Sequence, residues 1–275
     1  MTAAAALLAS VAWGVADFLG GLKSRVVPTI VVLLLAQVAG VLAAGTVVAL
    51  AGNPPPGPSI LWAALAGVFG TVGLGAFYRG MAVGSISIVA PIAAVAAVVP
   101  VVFGIATGDD LSRLQLLGFV LALAGVAAAS FERHVGEIRL AAGVPWAIAA
   151  VIGFGGYYVP MHAASDEDFL WPALVFRSTV GLLAFAAWLV VRPPLAPALG
   201  HLRAIATIGI LDTVGNALFA AASSLGEVSV VSVLATLYPV TTVALAAAVL
   251  GERLDRLQFA GVGSALAGVV LISAA

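Results

Sequence analysis

Ionisable and amide side chains inside long apolar runs are the residues of this sequence that could do chemistry. Asp212 falls near the middle of the apolar run 203–224, and Asn216 lies one helical turn further along the same face. A charge at the centre of a bilayer costs at least ~2.5–3.5 kcal/mol, so such a carboxylate needs a reason to be there. Asp212 could carry a coupling proton or hold a substrate amine. Alternatively, it could be a structural carboxyl held by neighbouring hydrogen bonds or by Arg79.

A second acidic residue stands in the first apolar run. Asp17 shares a helical face with Ser10 and Gly14, and Trp13 flanks it. A carboxylate there could contribute to a binding site. Because it lies only a few residues from the end of the run, it could equally snorkel to the membrane surface or cap the helix.

Aromatic and basic residues supply further candidates. Trp13, Tyr157, Tyr158 and Tyr238 could line a cavity for a planar solute, although aromatic residues also form interface belts. Tyr238 is the strongest of them, because Pro239 beside it must remove a backbone hydrogen bond in mid-span and could create a hinge.

Two pairs of polar residues allow either a functional or a structural interpretation. Tyr158 and His162 are four residues apart, so His162 could relay protons or could simply be solvated at a helix end. Arg79 and Arg177 each sit a few residues inside a run, where either could bind a carboxylate or snorkel to the headgroups.

The composition shows which solvent these residues need. The chain has 275 residues, of which 63% are hydrophobic and only 8% charged, whereas soluble domains carry about 25% charged residues. The mean hydropathy is +1.21. A bilayer is therefore the expected environment. The net charge of −1 argues against nucleic acid, and the absence of cysteine excludes disulfides and thiolate metal sites. We expect no cofactor and no metal.

The chain divides into ten stretches long enough to span a bilayer as helices, with short polar breaks between them. No soluble domain and no strands are expected. The predicted spans are 3–22, 28–51, 60–82, 86–107, 114–130, 143–163, 171–191, 203–224, 228–250 and 258–274.

The sequence repeats itself. The segment "GDDLSRLQLLGFVLALAGV" at 108–126 and the segment "GERLDRLQFAGVGSALAGV" at 251–269 agree at 11 of 19 positions. Each half, 1–130 and 143–275, therefore holds five helices. Because five is odd, the second half must enter the membrane from the opposite side, which gives an all-α bundle of two inverted repeats. We expect helices 1–4 and 6–9 to enclose a cavity and helices 5 and 10 to lie outside it. Alternatively, the duplication only builds a large bundle.

The basic residues predict an orientation. Loops after helices 1, 5, 7 and 9 hold eight of them, and loops after helices 2, 4, 6 and 8 hold only Arg113. Since positive loops face the cytoplasm, both termini should be external.

Several of these residues resemble the drug/metabolite transporter superfamily in its EamA-like branch. The resemblance rests on the ten helices in two halves, on Trp13-Gly14, and on "YPVTTVALAAAVLGERLDRLQFAGVGSALAGVVLI" from Tyr238, with its Gly251-Glu252 pair. The first half departs from the pattern with Gly108-Asp109.

The resemblance implies a multi-pass secondary transporter of the cell membrane that exports amino acids, related metabolites or toxic compounds. A proton would be the coupling ion, although uncoupled facilitation is an alternative. The partners would be a small solute and the lipid bilayer, and the protein would be a monomer or homodimer.

A membrane enzyme acting on a lipid-linked phosphate is the rival hypothesis. Such an enzyme needs several convergent acidic and basic residues, and the sequence offers scattered single ones without HExxH, GxSxG or phosphate-loop motifs.

Overall fold

A computed structural model describes residues 2–54, 57–99, 112–134, 137–164, 170–225 and 237–273. Within these residues the apolar runs form helices that we label α1 to α10. Their bounds are α1 Thr2–Ser24, α2 Thr29–Ala51, α3 Ile60–Val83, α4 Ile86–Ala94, α5 Arg113–Ser130, α6 Val144–Ala164, α7 Leu170–Val191, α8 Leu202–Leu225, α9 Tyr238–Leu250 and α10 Arg256–Ser273. A 3-10 turn, Val95–Ala97, follows α4, and a single helical turn, Ala196–Leu199, precedes α8.

Six of the described helices are long and apolar enough to cross a membrane, namely α1, α2, α3, α6, α7 and α8. Helices α5, α9 and α10 are apolar but shorter. The predicted fourth and ninth spans run into residues 100–111 and 226–236, which lie outside the described part of the chain. Apolar side chains such as Leu50, Val190 and Phe259 are exposed on the outer surface, as a lipid environment allows.

The predicted all-α fold is confirmed for the described residues, with one exception in a polar break where no strands were expected. The polar break after α5 forms a short antiparallel hairpin, β1 Phe131–His134 paired with β2 Glu137–Leu140. Phe131 pairs with Leu140 and His134 with Glu137. This segment is too polar to continue a membrane helix, and pairing the two strands satisfies its backbone groups. The hairpin connects α5 to α6.

The repeated sequence segments begin their helices in the same way. At the start of α5, Ser112 Oγ accepts a 3.0 Å bond from the Gln115 N–H, and Gln115 Oε1 accepts one from the Ser112 N–H. At the start of α10, Asp255 and Gln258 make the same reciprocal pair, at 2.8 and 3.2 Å. Each segment is thus a capping box that satisfies two helix-terminal N–H groups.

Helices α5 and α10 cross at glycines. A Cβ at Gly118 would lie 2.8 Å from the Gly268 carbonyl oxygen, and a Cβ at Gly125 would lie 2.6 Å from that of Gly261. The early residue of α5 therefore meets the late residue of α10, so the two helices run antiparallel. The missing side chains allow backbone to touch backbone, as small residues do between membrane helices.

Six of the helix pairings are related between the halves. Helix α1 packs on α8 as α6 packs on α3, and α1 packs on α9 as α6 packs on α4. Likewise α2 contacts α8 as α7 contacts α3. Exchanging α1–α5 for α6–α10 leaves this set of pairings unchanged.

Candidate functional site

The ion pair between Arg177 on α7 and Asp212 on α8 is the centre of the candidate site. Arg177 Nη2 lies 2.8 Å from Asp212 Oδ2. The Arg177 side chain is only 1% exposed, whereas that of Asp212 is 30% exposed. The partner of Asp212 is therefore Arg177 and not Arg79, which is exposed on α3. Arg177 also does not snorkel, because its charge is neutralised inside the bundle.

The environment of Arg177 leaves part of its guanidinium without a hydrogen bond. Its Nη1 packs over Gly40 of α2, where an added Cβ would lie 2.8 Å away. Among the described residues, Nε and Nη1 find no acceptor, and the contact of Nη2 with Asp212 is a charge contact without hydrogen-bond alignment. One turn before Gly40, the buried Oε1 of Gln37 also lacks a donor there. These buried polar atoms could receive a ligand or water.

Asp17 and Tyr78 extend the charged cluster to α1 and α3. The Asp17 carboxylate interacts electrostatically with Asp212. The Tyr78 hydroxyl feels the charges of Asp17, Asp212 and Arg177, and the Tyr78 ring packs against Gly20 one turn beyond Asp17. Three helices thus bring two carboxylates and one guanidinium together, and α3 adds the Tyr78 hydroxyl. With both carboxylates ionised, the cluster carries two negative charges and one positive, a net −1. A buried net charge is costly, so the cluster favours uptake of one cation or proton.

An aromatic group adjoins this cluster. Trp13 Nε1 donates a 3.1 Å hydrogen bond to Asn216 Oδ1. Phe219 and Tyr238 lie at ring distances of 5.7 and 6.5 Å from Trp13. Because Asn216 stands one turn from Asp212 on α8, the aromatic group and the ion pair form one continuous polar and aromatic surface.

The structure brings together five of the six predicted site residues. They are Trp13, Asp17, Asp212, Asn216 and Tyr238, carried by α1, α8 and α9. The sixth, Tyr158, lies on α6, but its side chain is outside the described part, as is that of His162.

Tyr157 is directed elsewhere. Its ring makes an edge contact with Phe176 of α7 at 5.0 Å.

The expected helix break at Pro239 takes a different form. Helix α9 begins at Tyr238, so Pro239 occupies the first turn and removes no intrahelical hydrogen bond. The Thr242 hydroxyl donates to the backbone carbonyl of Tyr238 in the first turn of α9 and to the backbone carbonyl of Gly14 on α1. The aromatic residue is thereby anchored at a helix start against the first helix.

Sequence reasoning missed three contributors. Arg177 was considered only as one of two equivalent arginines, and Gln37 and Tyr78 were not singled out. Gln37 carries a usable signal, since it is the one amide in the apolar run of α2. Tyr78 carries none, because a tyrosine near a helix end is common in interface belts.

A second polar cluster, at one end of the bundle, links the halves. Glu252, between α9 and α10, pairs with Arg25 at 2.9 Å. Its carboxylate also accepts bonds from the Ser85 hydroxyl at 2.7 Å and from the N–H groups of Ile86 and Ser87 at the start of α4. Burial raises the pKa of Glu252, but these four hydrogen-bond partners together hold that pKa below its ordinary value.

Comparison with known proteins agrees with this architecture. No curated protein matches the sequence. A protein of known crystal structure superposes with a TM-score of 0.65 at 16% identity, over 98% of this chain and 96% of that one, which shows a shared fold. The EamA-like transporter family matches both halves, at residues 1–131 and 141–274. The resemblance noted in the sequence is thereby confirmed, and this multi-pass membrane chain belongs to the EamA-like transporter family.

Proposed function

We propose that this chain exports small organic solutes by proton-coupled alternating access, with Asp212 as the coupling residue. The observation that carries the proposal is the buried cluster of Asp17, Asp212 and Arg177 beside Trp13 and Asn216. Such ionisable groups are expensive inside a membrane and mark transport pathways. Family membership supports the transport of a small solute across the membrane, and the cluster supports a coupled site.

The two halves, 1–130 and 143–275, would rock against each other around this cluster. Three pairs of helix contacts exchange when α1–α5 are swapped for α6–α10, and α5 crosses α10 antiparallel. Both features support two inverted five-helix repeats, the arrangement in which transport sites lie where the repeats meet. In this scheme α1 and α6 occupy equivalent positions in the two repeats. Because α1 contributes side chains to the central site, Tyr158 of α6 remains a proposed substrate contact.

The charge of the cluster gives a mechanism for exchange. When Asp17 and Asp212 are both ionised, the excess negative charge attracts a cationic group of the solute, which Trp13 and Tyr238 would flank. A proton bound at Asp212 cancels the excess charge and weakens that attraction. Solute and proton would therefore compete for the same carboxylates, so an inward proton gradient would drive the solute outward.

The lipid-phosphate enzyme finds less support. The described cluster offers one buried guanidinium beside two carboxylates, and this arrangement repels a phosphate group. Product release from a lipid phosphate by the purified protein would revive that hypothesis.

The test uses purified chain in proteoliposomes loaded with a pH-sensitive dye, challenged with a panel of amino acids and organic amines. We expect solute movement to be accompanied by proton counterflow in the wild type. Asp212→Asn keeps the shape but cannot titrate, so gradient-driven flux should fall at least 100-fold while solute exchange persists. Asn216→Ala should mainly weaken binding, because an amide orients a ligand but carries no proton.

Asp255→Asn serves as the matched control, since it makes the same chemical change at an exposed helix cap. Transport by Asp212→Asn at the wild-type rate, with an intact response to the gradient, would show that Asp212 is structural.

A further inference from the structure

A cavity of about 620 Å³ opens where the end of α1 meets the start of α8. Three basic residues line it: Lys23 in the last turn of α1, His201 just before α8, and Arg203 in the first turn of α8. Leu199 and Leu202 complete most of the wall. The cavity belongs to neither the central cluster nor the Glu252 network.

The positive charges of this cavity are uncompensated. Within the described residues, neither Lys23 nor Arg203 forms an ion pair, and no carboxylate appears in the lining. Like charges held together at the rim of one cavity repel each other, so an anion bound there gains their combined attraction.

Backbone donors add to the side chains. The first intrahelical hydrogen bond of α8 runs from the Ile205 N–H to the His201 carbonyl at 3.0 Å. The N–H groups of Leu202, Arg203 and Ala204 precede that bond, and all three residues line the cavity. Unpaired N–H groups at the start of a long helix are suited to a phosphate oxygen.

Apolar surface beside the charges indicates which anion fits. Leu199 is 69% exposed and Leu202 is 45% exposed, immediately next to the basic lining. Both α1 and α8 are long enough to span the membrane, so the cavity lies at the level of the headgroups. A ligand with a phosphate and acyl chains satisfies the charged and the apolar parts together, whereas a free phosphate would leave the leucines in water.

We propose that this cavity, lined by Lys23, His201 and Arg203, binds the phosphate headgroup of an anionic phospholipid. Since α1 carries Asp17 and α8 carries Asp212, a bound lipid would join the ends of the two helices that hold the central carboxylates. The protein's stability would then depend on the charge of the surrounding lipid.

The experiment measures thermal unfolding of the purified full chain in detergent at pH 7 while phosphatidylglycerol, phosphatidylcholine or inorganic phosphate is added. Native mass spectrometry counts the bound lipid. Phosphatidylglycerol should raise the melting temperature, and phosphatidylcholine should not. Lys23→Gln with Arg203→Gln should weaken phosphatidylglycerol binding roughly 30-fold, because each cation contributes on the order of 1 kcal/mol to anionic-lipid attraction.

Two variants keep the test decisive. Arg253→Gln with Arg256→Gln removes the same charge from exposed positions outside the cavity and should bind phosphatidylglycerol like the wild type. Lys23→Arg with Arg203→Lys keeps the charge and should restore binding, which separates lost charge from a folding defect. Equal stabilisation by inorganic phosphate would assign a free-anion site and overturn the lipid proposal. If the Arg253 and Arg256 variant loses binding to the same extent, the attraction comes from the overall surface charge and not from this cavity. That result would also overturn the lipid proposal.

Discussion

Arg177 is a buried arginine, which is uncommon because a buried charge is costly unless it is paired. It is almost completely buried between α2, α7 and α8, and among the described residues Asp212 is its one partner in an ion pair. Breaking a buried pair leaves an uncompensated charge, which costs more than the pair itself contributes. The pair therefore makes the stability of the bundle depend on the central site.

We expect Arg177→Gln to lower the free energy of unfolding by the lower end of ~3–5 kcal/mol, because the partial exposure of Asp212 screens the charge that remains. Adding Asp212→Asn should recover most of the loss, since it returns the cluster from a net charge of −2 to the −1 of the wild type. Unfolding in mixed detergent micelles measures both, with the exposed Arg79→Gln as control. A double variant no more stable than Arg177→Gln alone would contradict this account of the pair.

At the scale of single residues, the sequence predicted which side chains lie close together better than it predicted their partners. Asp212, Asn216 and Trp13 stand out because polar groups inside apolar runs are costly. The sequence analysis named Arg79 as a possible partner of Asp212, whereas the structure pairs Asp212 with Arg177; both arginines lie a few residues inside a span, so the sequence does not separate them. Only the packing of α7 against α8 decides between them, and packing depends on how all the helices fit together.

At the scale of elements, glycines fix how closely helices approach. A Cβ at Gly268 of α10 would collide with the backbone of Ala122 and come within 2.6 Å of the Gly118 carbonyl oxygen on α5. At Gly263, on the same helix, a Cβ would meet nothing within 4 Å. The two positions form a matched pair.

Gly268→Ala should destabilise the protein by about 1–3 kcal/mol, because backbone cannot move aside as a side chain can. Gly263→Ala should be neutral or stabilise by up to ~1 kcal/mol through helix propensity alone. Thermal unfolding of both variants in detergent provides the comparison. If both variants melt at the same temperature, the α5–α10 crossing does not depend on these glycines.

The Glu252 network joins elements from both halves and should respond to acid. A carboxylate whose folded pKa is lowered contributes stability that is fully present above its ordinary value of about 4.5 and is lost as pH falls below it. Wild type should therefore exceed Glu252→Gln in melting temperature at pH 7, and the difference should shrink as pH falls from 5 towards 3. Arg256→Gln, exposed near the same loop, is the control. A difference that stays constant with pH would show that the charge of Glu252 is irrelevant.

The residues at which helices start were easier to predict from the sequence than the irregular segments between helices. The "SRLQ" and "DRLQ" segments mark two capping boxes because side-chain acceptors and backbone N–H donors there are three residues apart. The 3-10 turn after α4 and the hairpin after α5 carry no such local signal. The 3-10 turn packs against α6 and α10, which lie far from it in the chain.

At the scale of the whole molecule, the excess of basic residues in the odd-numbered loops still predicts external termini. Alkaline phosphatase fused after Ala275 should be active, and a fluorescent protein that folds only in the cytoplasm should be dark there. Fusions truncated after Arg253 should show the opposite pattern and act as the internal control. Fluorescence from the fusion after Ala275 would place that end in the cytoplasm and contradict the predicted orientation. The description of the central site does not depend on this result.

The duplication was readable from the sequence because its two copies remain similar where helices begin and cross. The central site was readable only in part, because its charges come from α1, α7 and α8, and α1 lies far from the other two in the chain. Burial and ion pairing between such helices depend on the assembled bundle.

The α5–α10 crossing limits how the two halves can diverge. Gly118 is the repeat equivalent of Gly261, yet it touches Gly268, while Gly261 touches Gly125. A larger residue at one glycine is therefore accommodated only by a change at the crosswise position, not at the equivalent one. Relatives of this chain should show covariation between positions 118 and 268 and between positions 125 and 261. The two halves can then diverge in sequence, provided that each change is matched by a change at the position it contacts on the other helix.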